Sequence, residues 1–193
     1  MVSATGMETL PDSVLQGSSK SVNMAPDHYQ CLVDYYRELY NEKMQHQYAT
    51  DIHQGDILVL RRIEKYNQIK LHGQMYHSLE AASVRGSYIQ ALFVASTTCT
   101  NAPSLFAGQV IYYFQHNLKT KGIHTFAMVC YYKKPTSQPL INKGVKLWYN
   151  EFDSLDYFSI LPIAHIYAPF ASAKYRQADQ LVAIPLEPKL HLN

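Results

Sequence analysis

Gly108-Gln-Val-Ile-Tyr-Tyr-Phe-Gln-His116 and Phe126-Ala-Met-Val-Cys-Tyr-Tyr-Lys-Lys-Pro135 decide how this chain folds. Both are aromatic-rich apolar runs of strand length, the composition that marks a strand. In Gln109–Leu118, Val110, Tyr112, Phe114 and His116 fall on one face, and Ile111, Tyr113 and Gln115 on the other. Lys119-Thr-Lys-Gly122 separates this run from Ile123–Tyr132 and has the composition of a tight turn, so the two strands should form a hairpin.

Working outward, the same pattern recurs. Ile57–Ile63, Gln68–His72, Tyr88–Ser96, Val145–Tyr149, Ile160–Ile166 and Gln180–Leu186 are further strand candidates. Thr97 to Pro103 and Lys133 to Gly144 read as loops. So many short strands expose edges that an antiparallel barrel or a strongly curved sheet would close. Upstream the period changes to that of a helix. Tyr29, Leu32, Val33, Tyr36, Leu39 and Tyr40 share one face, Pro26 suits the first turn and Asp27 complements the helix dipole. The helix is expected from Pro26 to about Gln45. Residues 1–25 are Ser-rich and without period, and read as a disordered tail. The expected organisation is therefore a tail over 1–25, a helical segment over 26–47 and a β domain over 56–193.

The chain has 193 residues, 47% of them hydrophobic, which is ample for one core. Sixteen are tyrosine, a residue that keeps its hydroxyl wet while its ring is half buried. Three cysteines without CxxC spacing and a polar N-terminus point to a reducing, intracellular setting. The net charge of +2 conceals a segregation. Residues 1–56 carry a net of −5, residues 57–150 a net of +9 and residues 151–193 a net of −2. A basic centre of that kind either faces a polyanion or balances acidic neighbours in the same fold.

Catalytic signatures are missing. There is no GxSxG, no phosphate loop and no HExxH. Cys31 lies on the helix, Cys130 in a strand and Cys99 in a loop, none with an activating partner readable from sequence. His72, His77, His116 and His124 lie on or beside paired strands and leave a metal-dependent hydrolase as a remote alternative. The sequence favours a non-enzymatic protein with no cofactor and no small-molecule substrate. Its candidate ligand-binding residues are the aromatic group Tyr113, Tyr131, Tyr132, Trp148 and Tyr149, although alternation must turn about half of such rings inward. Its candidate nucleic-acid-binding residues are Arg61, Arg62, Lys119, Lys121, Lys133, Lys134, Lys143 and Lys146.

Val129-Cys-Tyr-Tyr132, Lys133-Lys-Pro135, Asn150-Glu-Phe152 and Leu161-Pro-Ile163 follow one another in an order that resembles the bromo-adjacent homology (BAH) domain. Tyr131 stands where that pattern usually has Trp. The longer run, from Asp27-His-Tyr-Gln-Cys-Leu-Val-Asp-Tyr-Tyr36 through Leu71-His-Gly73 and Ser87-Tyr-Ile89 to Leu147-Trp-Tyr-Asn-Glu-Phe152, resembles a region of uncharacterised fungal transposon-encoded proteins. The resemblance implies a small, antiparallel, partly closed BAH-like β-barrel preceded by one amphipathic α-helix. It implies an interaction module for a chromatin or transposase-type protein partner, such as a histone tail, in the nucleus. A DNA-binding accessory role for the basic centre is the alternative. No membrane association is expected.

Overall fold

The hairpin expected from the two aromatic runs is the spine of the fold. The computed structural model describes residues 5–8, 14–81, 83–94, 103–135, 146–175 and 179–186. In chain order its strands are β1 (Val14–Gln16), β2 (Lys20–Asn23), β3 (Met44–His46), β4 (Ile57–Val59), β5 (Arg62–Tyr66), β6 (Gln68–Leu71) and β7 (Gln74–His77). Then come β8 (Tyr88–Val94), β9 (Pro103–Leu118), β10 (Gly122–Tyr131), β11 (Lys146–Tyr149), β12 (Ile160–Pro162), β13 (Ile166–Tyr175) and β14 (Gln180–Pro185). One helix, α1 (Pro26–Tyr40), precedes β3. Mainly antiparallel β structure is what the sequence implies, and β3 beside β4 is a parallel exception.

β9 and β10 pair from Gly108 to Leu118, and the turn closes where Lys121 N–H donates to the Leu118 carbonyl at 2.8 Å. The other edge of β9 is shared. β8 takes it from Pro103 to Gln109, and β5 takes it from Tyr113 to Gln115. The change of partner coincides with a bulge: Met128 faces Tyr112, but Val129 faces Val110, so Ile111 is the extra residue. A one-residue shift flips side chains to the opposite face. Val110 therefore packs with Tyr113, while Tyr112 and Phe114 pack under the helix. Strict alternation through this point, as read from sequence, places Val110 on the wrong face.

The sheet runs β11-β14-β13-β8-β9-β10-β12. β12 and β13 occupy opposite edges of its five-strand portion, yet only the 3-10 turn Ile163–His165 separates them in sequence. Laid flat, those edges would stand about 19 Å apart. Four Cα steps reach at most about 14 Å. The sheet must curl, and Leu161, Ile163 and Ile166 enter a core with Ile89, Ala91, Val110, Ala127 and Val129 on the concave side. No ladder joins β12 to β13 among the described residues.

α1 covers the convex side. Tyr29, Leu32, Val33, Tyr35 and Tyr36 are buried against Phe114, Phe126 and Met128. Each side chain of that size contributes about 1.5–3 kcal/mol on burial. The helix stops at Tyr40, short of the expected Gln45, because Asn41 adopts the left-handed conformation at φ 51° and donates to the Arg37 carbonyl. A third cluster, with Ala107, Tyr132, Trp148, Phe170 and Leu181, lies beneath β11 and β14.

Several expectations are corrected. Residues 14–16 and 20–23, placed in a disordered tail, form β1 on β6 and β2 on β5, with Val22 opposite Ile63 at the core. Such short strands have no period of their own to read. The expected strand Ile57–Ile63 divides between β4 and β5, and Ile160–Ile166 is split by its 3-10 turn. β7 and β13 were not expected.

Candidate functional site

Of the expected aromatic surface, Tyr113 and Trp148 are buried at 0% and 1% exposure, and Tyr132 is buried as well. Tyr149 alone is exposed, at 38%. Alternation explains this: Tyr113 points into the concave core, while Tyr132 lies in the third cluster and stacks on Phe152 at 4.6 Å. The five rings do not assemble into one surface. Tyr131, half-buried at the end of β10, joins a different group.

That group lines one end of the curled sheet, and Phe93 is its centre. Phe106 lies 5.5 Å from Phe93, Tyr131 6.2 Å, Phe158 5.7 Å and His165 5.4 Å, with interplanar angles of 84°, 71°, 86° and 80°. Every contact is edge-to-face, the arrangement that the ring quadrupoles favour. The backbone fixes each ring. Phe93 precedes the last residue of β8, Phe106 faces Ala91 across β8–β9, and Tyr131 faces Gly108 across the hairpin. A Cβ at Gly108 would stand 2.7 Å from Val129 Cγ1 and 2.9 Å from Tyr131 Cδ1, so the close approach requires glycine.

Phe158 is held by a 3-10 turn over Tyr157–Ser159. Asp156 Oδ1 accepts from Phe158 N–H at 2.8 Å, and Ser159 Oγ accepts from Asp156 N–H at 3.2 Å. This reciprocal cap leaves Phe158 43% exposed at the rim. Asp153 N–H donates to the Tyr131 carbonyl at 2.8 Å, which brings the segment carrying Asp153 and Asp156 beside the end of β10. Partial burial pushes the Asp156 carboxyl up against the hydrogen bonds it accepts. Burial also raises the Tyr131 phenol well above its usual range, and its hydroxyl has no hydrogen-bond partner among the described residues. Phe93, Phe106, Phe158 and His165 were not singled out from sequence. The signal was there for Phe93, which alternates with Ile89 and Ala91.

The basic candidates are dispersed. Arg61 is structural: its Nε donates to the Met24 carbonyl and its N–H to Gln47 Oε1 at 2.7 Å. Arg62 donates to Ser21 Oγ at 2.8 Å. Lys121 pairs with Glu42 at 2.6 Å and lies 4.9 Å above the Tyr40 ring. Lys133 pairs with Glu151 at 2.6 Å, which holds its ammonium above the usual range. Lys119 and Lys134 are exposed, Lys146 is half-buried, and Lys143 lies outside the described residues. Lys119 and Lys121 sit at one end of the hairpin, and Lys133 and Lys134 at the other, about 33 Å away along β10.

The histidines divide too. His72 occupies a turn and His77 ends β7, whereas His116 and His124 are buried beneath α1. His116 Nε2 faces the Leu60 carbonyl at 2.9 Å, so it carries the proton, and Nδ1 accepts from Tyr36. His124 is the mirror case, with Nδ1 toward the Gly122 carbonyl at 3.1 Å and Nε2 accepting from Tyr40. Neither ring has a lone pair left for a metal. Among the described residues no group of three His, Cys, Asp or Glu could hold one. Burial pushes the Cys31 thiol up to about 11 and also raises Cys130, the opposite of activation. Cys99 lies outside the described residues. No helix is long and apolar enough to cross a membrane among the described residues.

No protein-family model, no curated protein and no solved structure matches the chain.

Proposed function

We propose that this chain is a non-enzymatic interaction module, a partly closed BAH-like β-barrel preceded by a helix, that binds a protein partner at the aromatic end of its sheet. The observation that carries the reading is the ring group around Phe93, with Phe158 exposed at its rim and a carboxylate segment beside it. Rings offer apolar area and quadrupole faces, and the acidic flank favours a cationic side chain in the partner. The resemblance to BAH domains of transposon-encoded proteins makes a histone tail or a transposase-type protein the first candidate, and the nucleus the first compartment to examine.

Trp148 is the only tryptophan and lies 6.4 Å from Phe106, so its fluorescence reports on this end of the sheet. Titration with histone-tail peptides and with a parent-type transposase should give a saturable change. Phe158→Ala should abolish it and leave the melting temperature within a few degrees. No response to any partner, or equal response in the variant, removes this reading.

The alternative of DNA binding through the basic centre has less support. Lys65, Lys121 and Lys133 are already paired with Glu80, Glu42 and Glu151, and Lys119 and Lys134 lie at opposite ends of the hairpin.

A further inference from the structure

Residues Thr5–Glu8 lie against the edge of β10, at the opposite end of that strand from Tyr131. Thr125 N–H donates to the Gly6 carbonyl at 2.7 Å. Gly6 is buried with φ +81°, and a Cβ there would stand 2.5 Å from the Phe126 ring. Both backbone angle and space therefore demand glycine. Met7 follows, its sulfur 3.9 Å from the Tyr40 hydroxyl, and its methyl reaches Gly122. Glu8 then folds back. Its carboxylate accepts from Thr5 N–H, from the Thr5 hydroxyl at 2.9 Å and from Gly6 N–H at 2.8 Å. The segment satisfies its own polar groups and offers the sheet one carbonyl, one bare Cα and one thioether.

β12 takes the same edge of β10 from Phe126 to Met128 and stops there. Thr5–Glu8 thus occupies the position of the next partner on that edge. Its hold is slight: among the described residues, one backbone hydrogen bond ties it to β10. An element held so weakly opens locally at low cost. Ile123, two residues further along the edge, is 58% exposed.

We propose that the β10 edge at Thr125, walled by Phe126 and Tyr40, is a docking groove for an extended partner segment with glycine followed by an apolar residue, and that Thr5–Glu8 closes it in cis. The occupant chemistry is read from the occupant present. A side chain at the glycine position is excluded by Phe126, the preceding edge strand sets the direction of main-chain pairing, and the thioether site accepts an unbranched apolar chain. Because the segment belongs to the same chain, its docking is intramolecular, with an effective concentration on the order of millimolar. A partner making the same contacts alone is outcompeted at micromolar concentration. One that also covers Ile123, or meets a chain whose own segment is displaced, binds. The groove is therefore gated by the chain itself, independently of the aromatic end.

The test uses a labelled peptide of residues 1–12 and three full-length chains: wild type, Gly6→Ala and Met7→Lys. Gly6→Ala should eject the internal segment through its clash with Phe126, Met7→Lys should loosen it by removing the thioether from Tyr40, and thermal unfolding checks that both variants fold. Each variant should bind the peptide at least tenfold more tightly than wild type. A peptide carrying Gly6→Ala should bind none of the three. Equal affinity for all three chains, or no binding to either folded variant at millimolar peptide, overturns the proposal.

Discussion

His116 and His124 are register partners across the β9–β10 hairpin, and each accepts a hydrogen bond from a tyrosine of α1: Tyr36 at 2.9 Å and Tyr40 at 2.7 Å. Tyr36 and Tyr40 are one helical turn apart, so the helix docks in register with a pair of neutral imidazoles. A third pair, His28 Nδ1 with the Tyr112 hydroxyl at 2.8 Å, extends the seam.

Acid should open this seam. Burial pushes His116 down to about 4 from 6.5, and it also lowers His28, His124 and His165. The fold favours the neutral form, so its contribution is fully present above the unfolded value of 6.5. It is lost as pH falls from there toward 4. At pH 5 His116 alone should remove up to about 2 kcal/mol. Urea midpoints at pH 7.5 and pH 5.0 measure it, and identical midpoints would refute the neutral assignment.

Tyr36→Phe should cost more than Tyr40→Phe. The first leaves His116 Nδ1 without a donor in a fully buried site, a penalty of about 1–3 kcal/mol. Tyr40 is half-buried, and water can replace its hydroxyl at His124. Chemical denaturation of both variants gives the comparison, and the reverse order would mean that water already reaches His116.

Gly108→Ala should destabilise by about 1–3 kcal/mol through overpacking against Val129 and Tyr131. It should also shift the Tyr131 ring and change Trp148 emission in the folded protein. A stable variant with unaltered fluorescence would mean that the β9–β10 ladder yields at this point without disturbing the rings.

Duplex DNA titrated at several salt concentrations should show a shallow dependence. Three lysines of the centre are ion-paired, and Lys119 and Lys134 lie at opposite ends of the hairpin, so few phosphates should be met together. A log–log slope steeper than about −4 would require more than four phosphate contacts and would restore the basic centre as the functional surface.

The hairpin and helix were legible because long periodic runs state their own geometry. The aromatic stripe ends at Tyr40, as α1 does, and the expected end at Gln45 ran past the Asn41 cap with no stripe residue to support it. β1 and β2 were hidden because three or four residues carry no period, and their partners lie on β5 and β6, about 40 to 55 residues downstream. The bulge at Ile111 is a property of pairing and leaves no mark in β9 alone. The same limit governs the site. Tyr131 was named, but its companions Phe93, Phe106, Phe158 and His165 come from separate strands and turns, and only the curl of the sheet assembles them.

The Tyr36–His116 bond joins residues 80 apart in the chain. At ordinary translation rates of about 5–20 residues per second, the hairpin follows α1 by about 4 to 16 seconds. A 15-residue helix holds its shape poorly alone, and its tyrosine face has no cover in that interval. The helix therefore reaches its final packing only after β9 and β10 have emerged, so folding of this chain is completed late in its synthesis.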